Sequence, residues 1–328
     1  MSSLGLAGIG LSIAVGYLLL HLAFDALFLA IWGFPEGEQP LWQNDQWWTD
    51  FVNAALMGYL PAAQAIARRF VAEDLAGLRP RLRCNDVEFK ELSERAIGPG
   101  GPIARALSLS GLALGAWLAF FDPSVAGGAT VSARDPWFIW SLGRMIILLW
   151  LVARFSVYDF NVTQIYRALG RHSIRIDLLD IHSLAPFARR GQRSALTWVI
   201  FSCLLSLFWL GDSAAETNLP GLVVILSMAA FAFIGPLAAL SRSIRTEKHA
   251  ELGRLREQIR EARTQTDAAV ESPRLANLVG YYQLIDGASE WPVDAANLLK
   301  FVGYLLLGLG SWLGGAVVER ILDSAIRG

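Results

Sequence analysis

The chain is poor in the residues that metal, redox and nucleophile chemistry draw on. Its 328 residues include two cysteines and four histidines. Neither set has the paired spacing of a zinc, haem or iron–sulfur site. Cys84 falls in a basic segment and Cys203 inside an apolar run, which predicts no disulfide between them. HExxH, GxSxG and the GxxxxGKS or GxxxxGKT phosphate loop are all missing, so no familiar hydrolase or nucleotide-binding device is encoded. Lysine is nearly missing too: Lys90, Lys248 and Lys300 stand against 25 arginines, a skew that fits a GC-rich bacterial genome. The carboxylates near one another, Asp177 with Asp180 and Glu88, Glu91 with Glu94, lie in basic polar stretches where ion pairing is the default role. The expectation is a non-enzyme with no cofactor and no metal.

Charge is scarce as well. Charged residues make up 17% of the chain against 54% hydrophobic, and mean hydropathy is +0.41. For this length that composition belongs to integral membrane proteins. The opening MSSLGLAG lacks a basic n-region and a small-residue cleavage site, so the first apolar run is read as retained.

That run, Leu4 to Trp32, is apolar except for His21 and Asp25. It exceeds the roughly 20 residues needed to cross a bilayer core, and only a helix satisfies its backbone there. Six runs follow: Phe51–Ala67, Ile103–Phe121, Trp137–Phe155, Leu196–Leu210, Gly221–Leu240 and Leu298–Val318. Phe51–Ala67 is the weakest, with Asn53, Gln64 and Pro61 inside it. Asp122-Pro123 and Pro220-Gly221 read as turns, and Pro236 as a kink.

Cations decide the orientation. The segments 68–105, 154–193 and 242–300 hold 24 of the 28, while the loops alternating with them hold Arg134 alone. The positive-inside rule puts the long segments in the cytoplasm. Trp42, Trp47, Trp48 and Trp137 lie on the other side, as an interfacial belt does. The fold class expected is an all-α polytopic bundle of about seven transmembrane helices in the plasma (inner) membrane, N-terminus cytoplasmic and C-terminus external. Its regions are 1–241, a six-helix membrane part with basic cytoplasmic loops 68–103 and 156–195; 242–297, a cytoplasmic helical segment; and 298–328, a final transmembrane or re-entrant helix with a short tail.

The loops have patterns of their own. Residues 68–94 read as an amphipathic helix broken at Pro80, and 173–180 alternate like a short strand. Leu252, Leu255, Ile259, Ala262, Thr266 and Ala269 form a short coiled-coil seam. That seam is expected to close within the chain, against Pro273–Ile285 or Glu88–Ala96, in preference to a dimer. Arg68-Arg69 and Arg189, Arg190 and Arg193 are expected to face anionic head groups. Gly111 with Gly115 and Gly310 with Gly314 are small-xxx-small pairs. Internal packing is the reading preferred for them, with homo-oligomerisation through Gly310 and Gly314 the alternative.

His21 and Asp25, four apart, share one helix face. Buried in a bilayer, they call for a counter-charge, and Arg144 in the fourth run is the one available. Asp25–Arg144 pairing is expected, as a relay or as a structural tie, with Arg144 snorkelling outward as the alternative. Two functions follow. One is a channel or transporter for a small ion or solute, with His21, Asp25, Asn53 and Arg144 lining a polar path. The other is a non-catalytic membrane scaffold or signalling component whose cytoplasmic loops bind a protein partner. The bilayer is the one certain surface in either case, and no nucleic acid is implied.

Overall fold

The computed structural model describes residues 3–31, 47–98, 100–121, 136–210, 219–265, 273–291 and 298–310. The described residues are helical almost throughout. In chain order the helices are α1 (Ser3–Ile31), α2 (Trp47–Leu78), α3 (Asp86–Ile97), α4 (Pro102–Phe121), α5 (Pro136–Ala168), α6 (Ala185–Ser206), α7 (Leu219–Gln265) and α8 (Pro273–Asp286), followed by an apolar helix at Leu298–Gly310. Three stretches, Ala7–Ile31, Leu142–Arg171 and Val223–Thr264, are long and apolar enough to cross a membrane.

The helices pack as neighbouring pairs, α1 on α2, α4 on α5 and α6 on α7, with α2 also meeting α5 and α6. Two of the pairs close on glycine. A side chain on Gly10 would meet Ala62 Cβ and Gly58 O at 2.8 Å, and one on Gly58 would run into the Gly10 carbonyl. Gly111 and Gly115 sit equally tightly on Ala153, Leu149 and Ile146 of α5. The Gly111–Gly115 pair therefore serves internal packing, because only a missing Cβ lets two backbones approach this closely. Gly310 has open space around it, and Gly314 lies outside the described residues. The main core gathers Leu56, Leu75 and Leu78 of α2, Tyr166 of α5, Phe187 of α6 and Leu237, Leu240 and Ile244 of α7, all at most 1% exposed.

Several sequence expectations hold. The chain after Arg68 stays helical, breaks in a 3-10 turn at Arg79–Arg81 around Pro80, and restarts in α3. That restart is capped by Asn85 and Glu88, each accepting from the other's backbone N–H. The seam residues Leu252 and Leu255 close on Ile285 of α8. Lys248 Nζ donates to the carbonyls of Asp286 and Ala288 at 2.7 and 2.9 Å, so a cation caps the end of α8. Thr266 and Ala269 lie outside the described residues. Both cysteines are free.

Others change. The strand expected at 173–180 is one antiparallel bridge between Ile174 and Leu82. It stops there because Asp177 folds the chain back, its side chain accepting from Leu179 N at 3.0 Å and its carbonyl from Asp180 N at 3.1 Å. Pro220 and Gly221 are not a turn but lie in the first turn of α7, where proline's missing N–H costs nothing. Helix α2 starts before the apolar run Phe51–Ala67, so Asp50 lies in its first turn, where the helix dipole favours a carboxylate.

Candidate functional site

Along α1, the apolar side chains point outward and the two ionisable ones point inward. Leu11, Leu20 and Leu27 are 60–68% exposed, whereas His21 is 4% and Asp25 0% exposed. The face that turns inward repeats every three or four residues: Gly10, Ala14, Tyr17, His21 and Asp25. Opposite it, α2 runs antiparallel in register. Gly10 meets Ala62, Ala14 meets Gly58, and Tyr17 packs with Ala54 and Met57. One turn further along, the same register brings His21 to Asp50.

His21 sits between two carboxylates. Its Nε2 is 3.5 Å from Asp25 Oδ1, and its Nδ1 is 3.5 Å from Asp50 Oδ1. Arg144 of α5 donates through Nη1 to Asp50 Oδ1 at 2.9 Å. The expected Asp25–Arg144 pair is thus replaced by Asp50–Arg144, and Asp25 pairs with His21 in its own helix. The reason is register: Asp50 lies in the first turn of α2, beside His21. Trp140, one turn before Arg144, stacks on the His21 ring with centroids 4.9 Å apart and also on Phe24 and Tyr17. Asn53 is buried one turn along from Asp50, and its amide donates to the Thr49 carbonyl at 3.0 Å. The structure therefore brings His21, Asp25 and Arg144 together, adds Asp50, and keeps Asn53 on the same helix engaged with its own backbone.

Among the described residues, two carboxylates and one guanidinium lie around the imidazole. A proton or a monovalent cation placed there meets a carboxylate on each side, and in surroundings of low dielectric these charges act as a set.

A second polar centre, which sequence reading missed, lies at the far end of α2. Asp159 of α5 accepts from Arg190 Nη2 at 2.6 Å, Ser194 Oγ at 2.7 Å and Trp198 Nε1 at 3.0 Å. Asp159 and Arg190 are 3% and 4% exposed. Asp74 of α2 takes Arg193 at 3.0 Å and Arg189 at 3.5 Å. Burial pushes the Asp74 carboxyl up from the usual carboxylate range, against the opposing pull of Arg193, Arg189 and Arg190. The expected head-group role of Arg189, Arg190 and Arg193 gives way to internal ties between α2, α5 and α6. The physical cause is helix length: α5 continues past Phe155 and α6 starts at Ala185, so both carry their polar residues into the bundle. Asp159 four residues beyond an apolar run, facing a basic stretch with Ser194 and Trp198 at helical spacing, was the available signal.

Asp177 and Asp180 behave as expected, pairing with Arg81 at 3.5 and 2.6 Å. No family model matches the chain, and no curated protein or solved structure is significantly similar to it.

Proposed function

We propose that this chain is a multi-pass membrane protein in which His21, Asp25, Asp50 and Arg144 form the proton- or cation-binding point of a transport pathway. The observation that carries the reading is the imidazole held 3.5 Å from a carboxylate on each side. Ionisable groups inside an apolar helix bundle are costly and mark ion or proton paths. The inside-out character of α1, with leucines outward and charges inward, supports insertion in lipid.

The topology proposed is seven crossings: α1, residues 51–67 of α2, α4, residues 137–155 of α5, residues 196–210, residues 221–240 of α7 and the segment beginning at Leu298. The N-terminus then faces the cytoplasm of the plasma membrane and the C-terminus the outside, from the distribution of arginine. His21, Asp50 and Arg144 fall in the outer part of the bundle. Between Asn53 and the buried Gln64, the inward face of α2 carries Met57 and Leu60.

The test is proton and monovalent-cation flux into liposomes holding the purified protein, with Asp25→Asn, Asp50→Asn and His21→Ala beside the wild type. Flux that falls at least tenfold in folded Asp25→Asn and His21→Ala supports the pathway. Flux unchanged in those variants, or missing from the folded wild type, would falsify it and leave the cluster as a structural tie in a membrane scaffold.

A further inference from the structure

Helices α2, α3, α4 and α5 line an open cavity of about 240 Å³, and its wall includes none of His21, Asp25, Asp50 and Arg144. Four arginines line it, Arg68, Arg95, Arg105 and Arg154, and no described carboxylate does. Arg95 has an exposed partner in Glu91 at 3.6 Å. Arg68 lies over the Tyr158 ring at 5.4 Å, and Arg154 over Trp150 at 5.3 Å. A guanidinium held by its face on an aromatic ring keeps its in-plane N–H fork free for an oxyanion. Two more observations point to a ligand. Tyr158 is 7% exposed, yet among the described residues its hydroxyl has no hydrogen-bond partner, and the buried Arg68 Nε has none there either. On the rim, Gly100 adopts φ +81°, with a Cβ position 2.7 Å from Ala104 Cβ. Only glycine lets the α3–α4 connection close the cavity there.

We propose that this cavity is a binding site for a phosphate-ester anion. A phosphodiester presents two anionic non-bridging oxygens, which match the N–H fork of a guanidinium, and clustered guanidiniums select it over neutral groups. Arg68 and Arg154 stand at the C-terminal ends of the runs 51–67 and 137–155, and Arg105 at the start of the run 103–121; all three meet at this cavity. An outward-facing Leu109 and the Trp150 ring continue the wall along those runs. The site therefore suits the head group of an anionic glycerophospholipid, with one acyl chain lying along α4. The lipid source rests on the membrane reading above. The anion site itself does not depend on transport.

The experiment uses the full chain in a neutral detergent. Native mass spectrometry counts phosphatidylglycerol and phosphatidylcholine retained, and thermal shift reads the effect of added inorganic phosphate without lipid. The expected result is saturable retention of phosphatidylglycerol at least tenfold above phosphatidylcholine. Retention should drop at least tenfold in Arg68→Gln/Arg154→Gln and two- to fivefold in Tyr158→Phe, with helical content unchanged by circular dichroism. A thermal shift with inorganic phosphate in the wild type, lost in the double variant, supports the anion site with a soluble source. Equal retention of the two lipids with no phosphate shift overturns the proposal. So does unaltered phosphatidylglycerol retention in folded Arg154→Gln, the milder variant, should the double one misfold. A wild type without ion flux leaves every one of these readings intact.

Discussion

Arg144 and Asp50, 94 residues apart in sequence, meet in a single hydrogen bond of 2.9 Å beside His21. The pair fixes α5 against the start of α2 and leaves His21 bridging the carboxylates of two helices. Arg144 is 25% exposed by side chain and Asp50 8%, so solvent screens the guanidinium more than its partner. Removing Arg144 strands a buried carboxylate. Removing Asp50 strands a cation that still reaches the surface.

This asymmetry predicts unequal single variants. A fully buried pair broken on one side costs roughly 3–5 kcal/mol, and partial exposure of Arg144 lowers that to about 1–3 kcal/mol here. Arg144→Gln should lower the unfolding temperature more than Asp50→Asn, and the double variant should recover part of the loss. Thermal unfolding of the four proteins in one detergent makes a double-mutant cycle. Additive losses would mean that the two side chains do not interact.

The α1–α2 crossing predicts a contrast among glycines. Gly58→Val places a side chain where the Gly10 carbonyl already stands, so the helices must separate. Overpacking of this kind costs about 1–3 kcal/mol, and because the crossing sets the register of His21 on Asp50, ion flux should fall with stability. Gly16→Ala, on α1 with nothing among the described residues within 4 Å, should be neutral or stabilising by up to about 1 kcal/mol through helix propensity. Equal effects of the two substitutions would remove the close crossing as the determinant.

Asp159 and Arg190 predict a larger effect. Asp159 satisfies three donors from α6, and Arg190 has no route to solvent. Asp159→Ala should destabilise by roughly 3–5 kcal/mol, the cost of an uncompensated buried charge. Asp159→Leu combined with Arg190→Met should restore part of it, because an apolar pair needs no counter-charge, while Ser194 Oγ and Trp198 Nε1 still lose their acceptor. Denaturation of the single and double variants reads this directly. A double variant as unstable as Asp159→Ala would show that the pair does more than neutralise itself.

Helix positions were legible in the sequence because hydrophobic runs report burial in lipid or core directly. The α7–α8 hairpin was legible because its seam keeps a three-and-four spacing. Which charge meets which was not. Asp25 and Asp50 are equally plausible partners for Arg144 until the antiparallel register of α1 on α2 is known, and that register is set by Gly10 and Gly58. Those glycines carry no i, i+4 signature within one helix: each is half of a contact between two. Arg190 was misread for a related reason. A basic residue near the end of an apolar run looks the same whether it points to head groups or to Asp159, and the difference lies in how far α5 extends.

Asp74 supplies the pH prediction. Its carboxyl titrates above the usual carboxylate value, chiefly through burial, with Glu73 adding to the rise and Arg193, Arg189 and Arg190 opposing it. An acid whose folded pKa is raised holds more protons folded than unfolded between the two values. Stability then rises as pH falls through that window and declines as pH climbs out of it. Asp74→Asn removes the titration while keeping the shape. The difference in unfolding free energy between wild type and variant should therefore shift in favour of the wild type from neutral pH down towards pH 4. It should level off once Asp74 is protonated in both states. Denaturation curves of the two proteins at half-unit pH steps measure it. A difference that moves in the variant's favour on acidification would mean that Arg193 and Arg189 outweigh burial and hold Asp74 as a low-pKa ion-pair carboxylate.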